Sequence, residues 1–122
     1  MRNILFSLAL VCLGASVRAD VVPNFLFSNN AVLQRDKPIP VWGTAAAGEQ
    51  VSVTFAGKTA TAIADTSGNW RVNLPAHAAN ATPAEMVIKG RNTLTFTNIL
   101  VGEVWLASGQ SNMEQMVKET FD

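Results

Sequence analysis

Hydrophobic and polar residues alternate along the middle of the chain, in short stretches that are separated by turn-forming residues. The stretch 50–55 alternates strictly and places two valines and a phenylalanine on one side. The stretches 70–74 and 93–97 repeat this pattern. A period of two puts the apolar side chains on one face of a β-strand, so each stretch predicts a strand with one buried face.

Turn signals lie between the predicted strands at intervals that are typical of an all-β module. Residues 56–58 (Ala-Gly-Lys) make a tight connection to a returning strand over 59–64, which is rich in threonine. Residues 65–69 (Asp-Thr-Ser-Gly-Asn) predict a turn that the aspartate starts and the glycine completes. Short strands spaced in this way indicate a β-sandwich-like module, which we place over residues 20–100.

The second half of this module continues the pattern. Residues 75–83 predict a loop of alanine, asparagine and proline, and a further strand contains Met86 and Ile88. Residues 90–92 (Gly-Arg-Asn) then turn the chain into the strand over 93–97. The apolar residues that we expect in a shared core are Phe25, Phe27, Val41, Trp42, Val51, Val53, Phe55, Trp70, Leu94 and Phe96.

The last part of the chain has a different pattern. The run 101–107 is nearly continuously apolar, which suits a strand that is covered on both faces, as in a parallel sheet. After Ser111 the apolar residues fall at helical spacing, at Met113, Met116, Val117 and Phe121. Strand, tight turn and helix are the opening of an α/β domain, so residues 101–122 predict the truncated first unit of a second domain.

The N-terminal residues 1–19 have the features of a secretory signal peptide. A short basic start precedes the apolar run Ile4–Leu13, which is too short to span a membrane. We expect cleavage between Ala19 and Asp20 and an exported product, periplasmic or extracellular, or lysosomal in a eukaryote. The alternatives are a membrane anchor or a lipid anchor on Cys12.

Composition and charge narrow the classes of function. Nine basic and nine acidic residues balance, and the absence of a basic stripe argues against nucleic acid as a partner. Cys12 is the only cysteine and leaves with the signal peptide, so the mature chain has no disulfide and no cysteine–metal site. We expect no metal, no cofactor and no membrane segment in the mature form.

Ser111 lies between the predicted strand end and the predicted helix start, and two interpretations remain open. Residues 111–114 (Ser-Asn-Met-Glu) match a capping box, which starts helices for local reasons. A serine at such a junction is also well exposed, and the first helical N–H groups donate to a developing oxyanion. The sequence around it is not G-x-S-x-G, which argues against an α/β-hydrolase.

Two stretches resemble the sialate O-acetylesterase family. "LFSNNAVLQRDKPIPVWGTAAAGEQVSV", residues 26–53, is similar to the start of that family, and "ILVGEVWLASGQSNME", residues 99–114, is similar to its serine block. "DTSGNWRVNLP", residues 65–75, lies between them at the spacing of the family. The resemblance covers about residues 24–116.

The resemblance implies a secreted hydrolase that removes O-acetyl groups from sialic acids or related sugars, without a metal. Family members have an N-terminal β domain before a catalytic domain of the SGNH-hydrolase type. The resemblance implies that Ser111 is the nucleophile, within a serine block that includes Gly109, Gln110 and Asn112. The catalytic histidine and aspartate of the family come later, in an Asp-x-x-His block that this sequence does not contain. We therefore expect the isolated chain to be inactive.

The other candidate residues favour structural roles. His77, the only histidine, lies in the predicted loop and is expected to be solvated. Trp42, Trp70 and Trp105 have two interpretations: each either stacks against a sugar or packs in the core. Residues 80–82 (Asn-Ala-Thr) match the acceptor sequence for an N-linked glycan. The alternative function is a non-catalytic secreted β-sandwich that binds a ligand or has a structural role.

Overall fold

The computed structural model describes residues 19–109. These residues form an all-β fold, because their sequence alternates and their turns are short. The eight strands of this part are β1 Val22–Pro23, β2 Val32–Gln34, β3 Ile39–Thr44, β4 Gln50–Phe55, β5 Lys58–Ile63, β6 Asn69–Leu74, β7 Asn80–Lys89 and β8 Thr93–Gly102.

The strands form two sheets. One contains three strands in the order β1-β3-β6, and the other contains five in the order β2-β8-β7-β4-β5. Neighbouring strands are antiparallel except β2 and β8, which run parallel. The buried residues of both sheets belong to one hydrophobic cluster, so the mainly β fold that the alternation predicts is confirmed.

Along β4 and β6 the alternating apolar side chains are the buried ones. In β4 the side chains of Val51, Val53 and Phe55 are buried, and in β6 every second residue from Trp70 is buried. Val53 lies opposite Ile88 of β7, and both side chains are fully buried. Cross-strand contacts of this kind are the main stabilising unit of a sheet.

Two turns have the chemistry that the sequence predicts. Ala56 and Gly57 connect β4 to β5 with positive φ at both positions, 46° and 75°, as the tight twist of a two-residue hairpin requires. In the next turn, Oδ1 of Asp65 accepts hydrogen bonds from the backbone N–H groups of Ser67 and Asn69, each at 2.9 Å. Gly68 has a φ of 82° there.

The predicted loop over residues 75–83 is longer than the observed one. Strand β7 begins at Asn80, which pairs with Val101 of β8, and the register shifts twice before Met86. The sequence at the start of β7 contains a proline and small residues, so its own pattern does not predict a strand. Pairing with the long strand β8 extends β7 to Asn80.

Most of the predicted core residues belong to the core or pack against it, and the two exceptions are Phe25 and Leu94. Phe25 is 85% exposed because it lies in the turn in which the N–H of Phe27 donates to the carbonyl of Asn24, at 3.0 Å. Phe27 itself is buried, while Leu94 and Phe96 are half-buried. Among residues 19–109 there is no helix of the length and apolarity that a membrane crossing needs.

Candidate functional site

Strand β8 leads toward the predicted serine block, and the side chain of Gln34 at the end of β2 fixes where it leaves the sheet. Gln34 pairs with Gly102, and its Oε1 accepts a hydrogen bond from the N–H of Val104 at 2.9 Å. Its Nε2 donates to Oε2 of Glu103 at 3.3 Å. The backbone of the exit segment is therefore held as far as Val104.

A small charged cluster lies beside this exit. The guanidinium of Arg35 contacts the carboxylate of Asp36 at 2.6 Å and that of Glu103 at 3.9 Å. The hydrogen bond that Arg35 donates to Asp36, and then the negative charge of Asp36, raise the pKa of Arg35 above its usual value. All three side chains are exposed, so solvent screens the pairs and their contribution to stability is small. Glu103 therefore acts as a surface ion-pair partner.

Beyond Val104 the described chain leaves the sheet. Residues 103–109 have no regular secondary structure, and Trp105 and Leu106 are 85% and 92% exposed. Of the strand predicted over 101–107, residues 101 and 102 are therefore observed as the end of β8, and residues 103–107 are not in a strand. Neither neighbour of β8 extends to pair with it, because β2 ends opposite Gly102 and β7 begins opposite Val101.

Of the predicted serine block, Gly109 is described, and it is exposed. Gln110, Ser111 and Asn112 lie outside the described residues, as does the predicted helix that follows them. Most of the predicted signal peptide, residues 1–18, also lies outside them.

An apolar surface surrounds the exit of β8. Val104 is one wall of a groove of about 260 Å³, which also contacts Leu26, Val32, Pro38 and Trp42. Exposed apolar side chains lie along this groove or next to it in the sequence: Phe25, Leu26, Val32, Val104, Trp105 and Leu106. Apolar surface of this extent is unusual on a soluble domain unless another element covers it.

Comparison with known proteins identifies the relatives of the chain. No family profile matches it. Sialate O-acetylesterase of Mus musculus is 31% identical over 105 residues, which cover 77% of this chain and 19% of that protein. The Homo sapiens protein of the same name is 31% identical over 106 residues, which cover 78% of this chain and 20% of that protein.

A solved structure agrees with these relatives. XAC1771, described as a novel carbohydrate acetylesterase from Xanthomonas citri, is 47% identical, with a TM-score of 0.70 over 76% of this chain and 22% of that chain. The chain is homologous to the N-terminal part of the sialate O-acetylesterases. The resemblance found in the sequence is thus confirmed. The chain spans about a fifth of the length of these sialate O-acetylesterase relatives.

The three tryptophans of this sialate O-acetylesterase homologue have three different environments. Trp70 is buried in the core, at 3% exposure, and Trp105 is open to solvent. Trp42 is half-buried, and its ring meets that of Phe27 edge-on, with centroids 5.0 Å apart and an interplanar angle of 87°. One edge of the Trp42 ring is therefore packed against Phe27, and the rest of the side chain is partly accessible to solvent.

His77 is not the solvated residue that its loop position predicts. Its ring meets Phe55 edge-on, with centroids 5.5 Å apart, and its Nε2 is buried without a hydrogen-bond partner. Within residues 19–109 no three His, Cys, Asp or Glu side chains group as a metal site. Asn80, in the candidate glycan acceptor, is exposed, and its Oδ1 accepts from the N–H of Thr82 at 2.9 Å.

Proposed function

We propose that this chain is the N-terminal part of an exported carbohydrate O-acetylesterase, acting on sialic acids or related acetylated sugars, and that Ser111 is its nucleophile. The observation that carries the proposal is the homology to sialate O-acetylesterases and to a carbohydrate acetylesterase of known structure. The serine block over residues 109–112, with its Gly-Gln-Ser-Asn sequence, supports the placement of the nucleophile.

The exposed apolar surface at the end of β8 supports the same proposal. Trp105 and Leu106 would cost free energy in water, at about 25 cal/mol for each Å² of apolar surface left exposed. Leu106 lies three residues before Gly109, the first residue of the serine block. Burial against an α/β catalytic domain that follows would place them in a central strand and position Ser111 at its end.

In the proposed reaction, Oγ of Ser111 attacks the acetyl carbonyl carbon of the sugar ester. A histidine from the catalytic domain takes the hydroxyl proton and passes it to the sugar oxygen as the ester C–O bond breaks. The released sugar leaves an acetyl-enzyme. Water, deprotonated by the same histidine, then attacks this ester and releases acetate, which restores the serine hydroxyl.

The histidine of this chain is poorly suited to that task. His77 packs its ring against Phe55 in the β module, and no carboxylate within the described residues orients it. A serine without an oriented base is a weak nucleophile. The 122 residues alone should therefore not hydrolyse 4-nitrophenyl acetate above the background rate.

The test compares this chain with a polypeptide in which it continues to the length of its relatives. Ser111→Ala in the longer polypeptide should lower kcat by a factor on the order of 10⁴–10⁶. Ser67→Ala, at an exposed serine in the turn before β6, is the matched control and should retain full activity. An active Ser111→Ala variant would exclude the proposed nucleophile and would favour a non-catalytic role for this chain.

A further inference from the structure

Trp42 and Arg71 lie side by side on the outer face of the three-stranded sheet. They are direct partners in the antiparallel register of β3 and β6, so their side chains leave the sheet on the same side. The adjacent pair, Val41 and Val72, is buried on the opposite side. The aromatic ring and the guanidinium therefore share the outer face of this sheet, where Trp42 also packs one edge against Phe27.

This face contains a shallow, open cavity with room for a sugar ring. Its volume is about 480 Å³, and its walls are Pro40, Trp42, Gly43, Asp65, Asn69, Trp70 and Arg71. The polar walls come from β6 and the turn before it, and the apolar walls come mainly from β3. An apolar surface with a few converging polar groups is the usual composition of a small-molecule site.

Arg71 is the charged wall of the cavity that is available to a carboxylate ligand. Among residues 19–109, Arg71 makes no salt bridge, whereas Arg35 is paired with two carboxylates. Asp65 uses Oδ1 to hold the backbone of its own turn. An unpaired guanidinium offers a planar fork that matches a carboxylate in two parallel hydrogen bonds.

We propose that this face, defined by Trp42, Asn69 and Arg71, binds a sugar that carries a carboxylate. The apolar C–H side of the ring would stack on Trp42, as flat apolar surfaces do on aromatic side chains. The carboxylate would pair with Arg71, and ring hydroxyls would reach the amide of Asn69. The proposed binding does not use Ser111 and involves no catalysis, so it adds a glycan-binding surface to the β module.

The test uses the 122-residue chain and ¹H–¹⁵N NMR spectra during titration with free N-acetylneuraminic acid. We expect saturable shifts at the indole N–H of Trp42 and at the signals of Asn69 and Arg71. The methyl ester of the same sugar, which lacks the negative charge, should bind at least about tenfold more weakly, since a charge-assisted pair is lost.

Variants separate the proposed site from adventitious contacts. Arg71→Met, at an exposed position, should weaken binding of the acid about tenfold or more and leave binding of the methyl ester unchanged. Trp42→Ala should remove binding of both sugars. Trp105→Ala and Lys89→Ala, at an exposed tryptophan and an exposed cation elsewhere, are the matched controls and should bind both sugars normally.

Three results would overturn the proposal: no shifts in the titration, shifts that map away from the cavity, or equal affinity of Arg71→Met and the parent for the acid. Trp42 also packs against Phe27, so thermal unfolding of each variant is measured in parallel. The Arg71→Met result decides the question even if Trp42→Ala does not fold. Ser111→Ala should bind like the parent, which keeps this test independent of the proposed esterase activity.

Discussion

The side chain of Asn92 holds the backbone of Val21 by both of its polar groups. Its Oδ1 accepts from the N–H of Val21 at 2.7 Å, and its Nδ2 donates to the carbonyl of Val21 at 3.1 Å. Val21 is itself buried, so this contact fixes the start of β1 to the turn between β7 and β8, 71 residues later. The two hydrogen bonds satisfy both backbone groups of Val21, as a neighbouring strand would.

Replacement of Asn92 by alanine should therefore destabilise the β module. Both backbone groups of Val21 would lose their partners, at a cost of about 1–3 kcal/mol in the free energy of unfolding. Urea denaturation of the 122-residue chain measures this cost. Asn73→Ala, at an exposed position of β6, is the control and should change stability little. Equal stability of Asn92→Ala and Asn73→Ala would show that the contact does not hold β1.

The same contact bears on the predicted cleavage of the signal peptide. Cleavage between Ala19 and Asp20 would leave Asp20 exposed and would retain Val21, which the fold needs. We expect N-terminal sequencing of exported protein to begin at Asp20. A mature protein that still contains Met1, or one that is anchored to membranes through Cys12, would contradict this prediction.

Two glycines provide a comparison of backbone strain and steric clash. Gly48 and Gly68 have similar φ values, 78° and 82°, but a Cβ at Gly48 would meet nothing within 4 Å. At Gly68 a Cβ would lie 2.6 Å from the carbonyl oxygen of Ala45. Gly48→Ala should cost about 1–2 kcal/mol from the left-handed conformation alone, and Gly68→Ala should cost clearly more. Equal melting temperatures for the two variants would contradict the close approach of Ala45.

Amide hydrogen exchange tests where the ordered module ends. The N–H of Leu100 donates to the carbonyl of Ala31 at 3.0 Å and should exchange slowly, whereas amides 105–109 should exchange rapidly because they lie outside the sheets. Gln34→Ala should accelerate exchange at Val104, which loses its acceptor. Strong protection across 105–109 in the 122-residue chain would contradict this boundary.

The regular part of the fold was predictable because its residues alternate and its turns have clear chemistry. Strand β4 was predicted with its observed bounds, and the burial of every second residue in β6 follows from the same pattern. The turn at Asp65 was predictable because the carboxylate organises the backbone locally. These strands and this turn depend on residues that are close in the sequence, so a local sequence pattern is enough to predict them.

Other features depend on distant partners and were missed for that reason. Strand β2 has three residues and exists through parallel pairing with β8, which no local pattern of its own indicates. The start of β7 at Asn80 also depends on β8. His77 lies in a loop by sequence, and only the approach of Phe55 makes its ring half-buried. The strand predicted over 101–107 ends at Gly102, because residues 104–107 have the required apolar side chains but no described neighbour to pair with.

The assignment of Ser111 as a nucleophile rests on resemblance and stays a prediction. The spacing of residues 111–114 suits a helix cap as well as a nucleophile. The matching stretches at residues 26–53 and 99–114 indicated the resemblance to sialate O-acetylesterases, and the comparisons confirm that resemblance. The Trp42–Arg71 face could not be found from sequence, because its two residues lie 29 positions apart and meet through the register of β3 and β6.

The measurement that tests the central claim most directly is the site of covalent modification by a fluorophosphonate, which traps an activated serine. The polypeptide is this chain extended to the length of its relatives, treated until hydrolysis of 4-nitrophenyl acetate stops and then digested for mass spectrometry. We predict one adduct on the peptide that contains Ser111, and no adduct in the 122-residue chain, where the serine has no oriented base. Complete inactivation with Ser111 unmodified would contradict the account.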